Sequence, residues 1–237
     1  RVITVNLAYA EAIAARLHVP LPLVVMNCSV RFDPARRGQR RFHERLGLPA
    51  DRAVVLYHGG LFPERGIEQL IEAMPALPDA DLVLMGYGAL TAVLPAWIAA
   101  SPAGDRIHVV PAVPPAELHD WVASADVAAM PIQPSTLNHR LTTPNKLFEA
   151  MAAGVPVVVS DLPGMATIVR ETGCGVVCDP RDPTSVAAAI RSILELPAAE
   201  RAAYAERAAR AADETYNWEA QADILLAEYG RLTGKPW

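Results

Sequence analysis

The chain has 237 residues, 52% of them hydrophobic and 20% charged, a size and balance that bury a proper core and exclude a disordered segment. A net charge of −5 at pH 7 leaves no basic footprint for nucleic acid, so an anionic ligand must be met by a local site. No apolar run reaches the roughly 18 residues of a membrane span, because Pro95, Pro131 and Gly154 interrupt the longest candidates.

Arg1 to Leu17 (RVITVNLAYAEAIAARL) reads as a strand followed by a helix, and its abrupt start suggests a piece of a longer protein. After Pro20 and Pro22, LVVMNCSVRFDP reads as a short buried strand entering a polar turn. Ala35 to Gly47 carries five arginines between Arg36 and Arg45. They are expected to form a solvated face, with contact to an anionic membrane or acceptor as the second reading.

From Arg52 the pattern becomes regular. AVVLYH precedes the pair Gly59-Gly60, and Gly66 to Leu77 repeats apolar residues at helical spacing. Asp81 to Gly86, Arg106 to Val110, Ala125 to Met130, Pro156 to Ser160 and Cys174 to Cys178 complete six strands, separated by helices at Ala89 to Ala100, Pro115 to Ala123 and Pro144 to Ala153. Strands this apolar, alternating with helices, predict an α/β fold with a doubly wound six-stranded parallel sheet. The last quarter is expected to be helical over Pro183 to Leu196, Ala198 to Ala212 and Trp218 to Leu232. Cys28, Cys174 and Cys178 lack metal-ligand spacing, and two cysteines four residues apart on one strand stand about 13 Å apart, too far to bridge. Buried, inert thiols in a reducing compartment are expected.

The stretch Thr142 to Ser160 (TTPNKLFEAMAAGVPVVVS) organises the rest. Thr143 is the expected cap of a helix that opens at Pro144 and stops at Gly154. Lys146 then lies in the first turn, where a cation opposes the helix dipole unless an anion shares the space, and a phosphate would meet both the ammonium and the free N–H groups. The plainer alternative is a solvated Lys146 paired with Glu149. In an open parallel sheet the ligand crevice lies beyond the C-terminal strand ends, which selects His58-Gly59-Gly60, Gly86-Tyr87-Gly88, Pro111 to Val113, Pro131 to Asn145 and Asp161 to Met165. Arg65, at the opening of a helix beside Gly60, is a planar donor suited to a diphosphate, or else a surface charge. No G-x-G-x-x-G, Walker loop, H-E-x-x-H or G-x-S-x-G occurs, so dinucleotide, P-loop, zinc-protease and simple hydrolase readings fall. His58 and His108 are read as strand-end packing, and no metal or cofactor is expected.

The order of LPLVVMNCSVRFDP, YHGGLFPERGIEQLIEAM, LVLMGYG and FEAMAAGVPVVVSDLPG resembles the C-terminal, donor-binding half of GT-B glycosyltransferases, particularly the family 4 group. The resemblance implies a Rossmann-like half of that fold: residues 1–20 a remnant of the acceptor domain and hinge, 21–215 the donor-binding domain, and 216–237 a crossing helix. It also implies transfer of a glycosyl group from a nucleotide-diphosphate sugar with retention, in a cytoplasmic enzyme or one held at the inner face of the cell membrane. The partners implied are the sugar-nucleotide donor and the missing N-terminal acceptor domain. A related epimerase, a phosphorylase and a non-catalytic sugar-nucleotide binding module are the alternatives. Residue by residue, Arg65 and Lys146 match the catalytic, diphosphate-binding positions, Glu149 the ribose-binding glutamate and Val113 the position whose backbone meets the base. Gly59, Gly60, Asn145 and Leu147 complete the expected substrate-binding set. Two positions depart from the family pattern: Gly60 stands where an arginine is usual, and Leu141 where a first glutamate contacts the sugar.

Overall fold

The structure, a computed structural model, describes residues 1–234; residues 235–237 of the expected crossing segment lie outside the described residues. The N-terminal arm forms β1 (Ile3–Thr4), α1 (Leu7–Leu17) and β2 (Leu23–Val24), with β1 and β2 paired in parallel as a small separate sheet. The strand expected after Pro22 is therefore only two residues long and half-buried rather than buried.

The Arg-rich stretch supplies α2 (Arg41–Leu46). It is not the solvated face expected. Arg36 and Arg41 both bond the buried Asp120, at 2.5 and 2.7 Å. Arg37 donates to the Ala152 carbonyl, Arg40 to the Ala50 carbonyl, and Arg45 lies over the Trp121 ring. The guanidiniums fasten this segment to the domain, since buried carbonyls and a buried carboxylate need donors.

The main body is built on β3 (Ala53–Gly60), β4 (Ala80–Tyr87), β5 (Ile107–Val110), β6 (Val127–Met130), β7 (Val157–Ser160) and β8 (Gly175–Cys178), all parallel, in the order β5-β4-β3-β6-β7-β8. Val55 of β3 pairs with Leu82 of β4 on one side and Val127 of β6 on the other. The winding reverses between β3 and β6, and a doubly wound sheet opens its ligand crevice at that reversal.

Helices cover both faces, so the strands are apolar on both. Val54 and Leu56 pack in one core with Leu147, Phe148 and Met151; Val55 and Tyr57 pack in the other with Ile67, Leu70 and Ile190. The helices of the main body are α3 (Ile67–Ala73), α4 (Leu94–Ala100), α5 (Leu118–Val122), α6 (Leu137–Leu141), α7 (Asn145–Ala152), α8 (Pro163–Thr172), α9 (Pro183–Leu194) and α10 (Ala198–Glu214), followed by α11 (Trp218–Thr233).

Two of these helices fall in segments expected to be loops. α6 is a five-residue helix started by Thr136, whose hydroxyl accepts the His139 N–H, and α8 begins within Asp161 to Met165. Both are short or carry glycine and threonine, so local propensity is weak and tertiary packing decides. Thr143 does not cap α7. Pro144 precedes the helix in extended geometry, and the Thr143 hydroxyl accepts from the Asn6 amide of the N-terminal arm. All three cysteines are free and buried, and burial pushes the Cys28 and Cys178 thiols up to about 12. No helix among the described residues is long and apolar enough to cross a membrane.

Candidate functional site

The crevice is shaped by the carboxyl ends of β3 and β4, which run unusually close together. A Cβ on Gly86 would lie 1.9 Å from the Gly59 carbonyl oxygen, and one on Gly88 would lie 2.2 Å from that of Leu61. Only glycine permits this approach, and Gly59 and Gly86 also take positive φ, +103° and +153°. The result is a cavity of about 330 Å³ whose walls include His58, Gly60, Phe62, Tyr87, Val113 and Glu149. Phe62 and Tyr87 stand exposed at its rim.

α7 brings Lys146 and Glu149 to the same place. The Lys146 ammonium is buried without a hydrogen-bond partner and sits 3.6 Å from the centroid of the Tyr57 ring, a cation–π contact. Tyr57 is held in turn by its phenol, which donates to the Gly60 carbonyl at 2.9 Å. Burial, reinforced by the positive charge of Arg65 and opposed by Glu149, lowers the Lys146 ammonium from 10.5 to about 7. Arg65 is half-buried and forms no hydrogen bond or ion pair within the described residues. The guanidinium of Arg65 is thus near enough for its charge to act on the Lys146 ammonium.

Glu149 does not pair with Lys146. Its Oε2 lies 2.8 Å from His58 Nε2. Burial by itself would raise this carboxyl, but the hydrogen bond from His58, with the positive charge of Lys146, holds it below its ordinary value. His58 is therefore more than the strand-end packing residue that its place in the sequence suggests. The available signal was a single imidazole closing an otherwise apolar strand. His108, the other histidine so read, bonds Asp81 at 2.8 Å, away from the cavity.

The remaining expected site residues are spread around this centre. Val113 lines the cavity and packs on the core. Asn145 is exposed and accepts from the Asn27 amide at 3.0 Å, tying the start of α7 to the segment after β2. Leu147 is fully buried and its N–H bonds the Pro144 carbonyl at 2.9 Å, so its side chain packs beneath the site rather than in it. Leu141 ends α6, and its carbonyl accepts from Asn6. No group of three or more metal-ligating side chains occurs among the described residues.

A doubly wound sheet whose crevice is lined by glycines and by a carboxylate held below its ordinary value, with an ammonium that lacks a hydrogen-bond partner packed against Gly59, is an α/β domain suited to a phosphate-bearing ligand. The sequence profile of the Glycosyl transferases group 1 matches residues 38–212, and the chain belongs to that family. The D-inositol 3-phosphate glycosyltransferase of Xylanimonas cellulosilytica is 32% identical over 224 residues, 92% of this chain and 52% of that protein. Among solved structures, sucrose-phosphate synthase from Thermosynechococcus elongatus has a TM-score of 0.80 at 26% identity, covering 98% of this chain and 58% of that one. HepE of Anabaena, in complex with UDP-glucose, has a TM-score of 0.76 at 20% identity over 96% of this chain and 63% of its own, a likeness of fold. The chain spans about half the length of the curated relatives it matches.

Proposed function

We propose that this chain is the donor-binding half of a glycosyltransferase, which receives a nucleotide-diphosphate sugar at the carboxyl ends of β3, β4 and β6 and transfers the sugar with retention. Arg65 and Lys146 take the diphosphate, helped by the backbone at Gly59 and Gly60, which form the last residues of β3. Glu149 accepts from the ribose, the backbone at Val113 meets the base, Asn145 steadies the entrance to α7, and Leu147 supports it from below. As the glycosyl bond breaks, the departing diphosphate gains negative charge, and preorganised cations in a water-poor crevice stabilise that charge more than they stabilise the intact donor.

The observation that carries this reading is the buried ammonium of Lys146, which has no hydrogen-bond partner and is close enough to Arg65 to feel its charge. A buried cation without an acceptor is costly in the free protein and is compensated when an anion arrives. Calorimetric titration with a panel of nucleotide diphosphates and nucleotide sugars tests it. Replacing either Arg65 or Lys146 with alanine should weaken the preferred nucleotide by about 1.5 to 3 kcal/mol, roughly 10-fold to 150-fold. Unchanged affinity in both variants would overturn the site. With Leu141 and Gly60 at the two departing positions, sugar selectivity is expected to rest on other groups.

A further inference from the structure

His58 is 2% exposed at the end of β3, and its Nε2 faces Oε2 of Glu149 at 2.8 Å. A carboxylate can only accept, so Nε2 carries the proton and donates it. Burial lowers the imidazole from its ordinary value of 6.5, with Glu149 acting to raise it and Lys146 to lower it further. The contact is therefore a neutral N–H donating to an anion rather than an ion pair. Near enough to feel the charge of Glu149 is His119 of α5, stacked on Phe32 with centroids 5.2 Å apart, its Nε2 buried and unpartnered. Burial lowers that imidazole from its ordinary value, and the charge of Glu149 acts to raise it. Glu149 is thus held by His58 and acted on by the charge of Lys146, with 19% of its side chain exposed, and it lines the cavity. Its Oε1 has no protein partner among the described residues and is not among the buried unpartnered atoms.

We propose that His58 is a positioning residue: by holding Oε2 it fixes the rotation of the Glu149 carboxylate and leaves Oε1 as the acceptor presented to a vicinal diol, such as that of a ribose. This rests on the reading of Glu149 as the ribose contact. The terminal torsion of a glutamate is broad and nearly two-fold, so an untethered carboxylate offers either oxygen in many orientations. One tethered by a buried, neutral donor is set before the ligand arrives, which lowers the ordering cost of binding. Tethering also sharpens selectivity. An acceptor that cannot swing to another partner is left unpaired when the ligand lacks the hydroxyl, and unpaired buried groups are what reject an analogue. A mobile glutamate would turn to solvent and forgive the loss.

The test measures dissociation constants of UDP, GDP and ADP, each beside its 2′-deoxy counterpart, for the purified chain. The wild type should prefer the ribonucleotide by roughly 10-fold or more. His58→Ala should reduce that preference to about 2-fold or less, whereas His58→Gln, whose amide can place an N–H near the position of Nε2–H, should keep most of it. If His58 serves packing alone, His58→Ala weakens both members of each pair equally, and an unchanged ratio overturns the proposal. In a Glu149→Gln background, His58→Ala should not change the ratio further, and an additional fall counts against it. A readout that needs no variant to fold is the tautomer itself. Long-range proton–nitrogen NMR correlations of the wild type should place the His58 proton on Nε2, and a proton on Nδ1 overturns the proposal outright. Failure of every nucleotide to bind removes the donor-site reading as well. Ribose preference that survives His58→Ala removes only this one.

Discussion

The residue that decides most is Lys146, because its ammonium is held at about 7 in the folded chain, against 10.5 for an ordinary lysine, by burial and by Arg65. The unfolded chain keeps the proton up to about pH 10.5, so between pH 7 and 10.5 unfolding takes a proton up. The contribution of this group is therefore fully present above 10.5 and is lost as pH falls through about 7. Stability of the ligand-free protein should rise with pH across that window, and Lys146→Met should remove that part of the slope. Urea unfolding at several pH values in the window checks this, and an identical slope in the variant would refute it. Ligand binding carries the opposite sign. An arriving diphosphate favours the charged ammonium, so above about pH 7 binding should take up a proton and weaken as pH rises. Calorimetry in buffers of different ionisation enthalpy reads that proton directly.

At the scale of elements, the site depends on two strand ends that only glycine can bring together. A methyl group on Gly86 would meet the Gly59 carbonyl oxygen at 1.9 Å in a backbone with φ of +153°. Neither the sheet register, His58 with Met85 and Gly59 with Gly86, nor the backbone oxygen can yield cheaply. Gly86→Ala should therefore cost about 3 kcal/mol or more and displace the cavity wall. Gly47 is the control: it ends α2 at φ +65° with nothing within 4 Å of its added Cβ. Gly47→Ala should cost only about 1 kcal/mol, the left-handed penalty alone. Denaturant midpoints of the two variants make the comparison, and equal losses would show that the close approach of β3 and β4 is not what the fold requires. The same scale explains α7. Its first turn is placed by the N-terminal arm through Asn6 and by Asn27 through Asn145, contacts more than 100 residues apart in sequence.

For the whole molecule, the chain carries the crevice and about half the length of its curated relatives. Under the proposed function Arg65, Lys146 and Glu149, at the sheet's carboxyl end, serve the donor. The chain by itself is then expected to bind a nucleotide diphosphate and to transfer no sugar, since holding an acceptor in attack geometry supplies much of the rate in such reactions. Robust sugar transfer by the purified 237 residues would overturn that division of labour. Mass spectrometry of the products, with candidate acceptors supplied, is the measurement.

The amino-acid sequence by itself determined the alternation of apolar strands and helices, the six-stranded parallel sheet and the loops that carry the crevice, because these follow from local periodicity, glycine positions and the apolar demand of a sheet covered on both faces. It also singled out Arg65 and Lys146 by their place at helix starts, and Glu149 by the family resemblance. Only the tertiary structure decided what those groups do to one another. A solvated pair was one of two readings of Lys146 and Glu149, three residues apart, yet the fold turns the ammonium onto Tyr57 and the carboxylate onto His58, residues some 90 positions away. The arginines of residues 36–45 looked solvated and instead anchor to Asp120, Ala152 and Trp121. Hydrogen bonding and charge act over a few ångströms in space, and which groups come within that range is set by packing across the sheet, a fact that spacing along the chain does not contain.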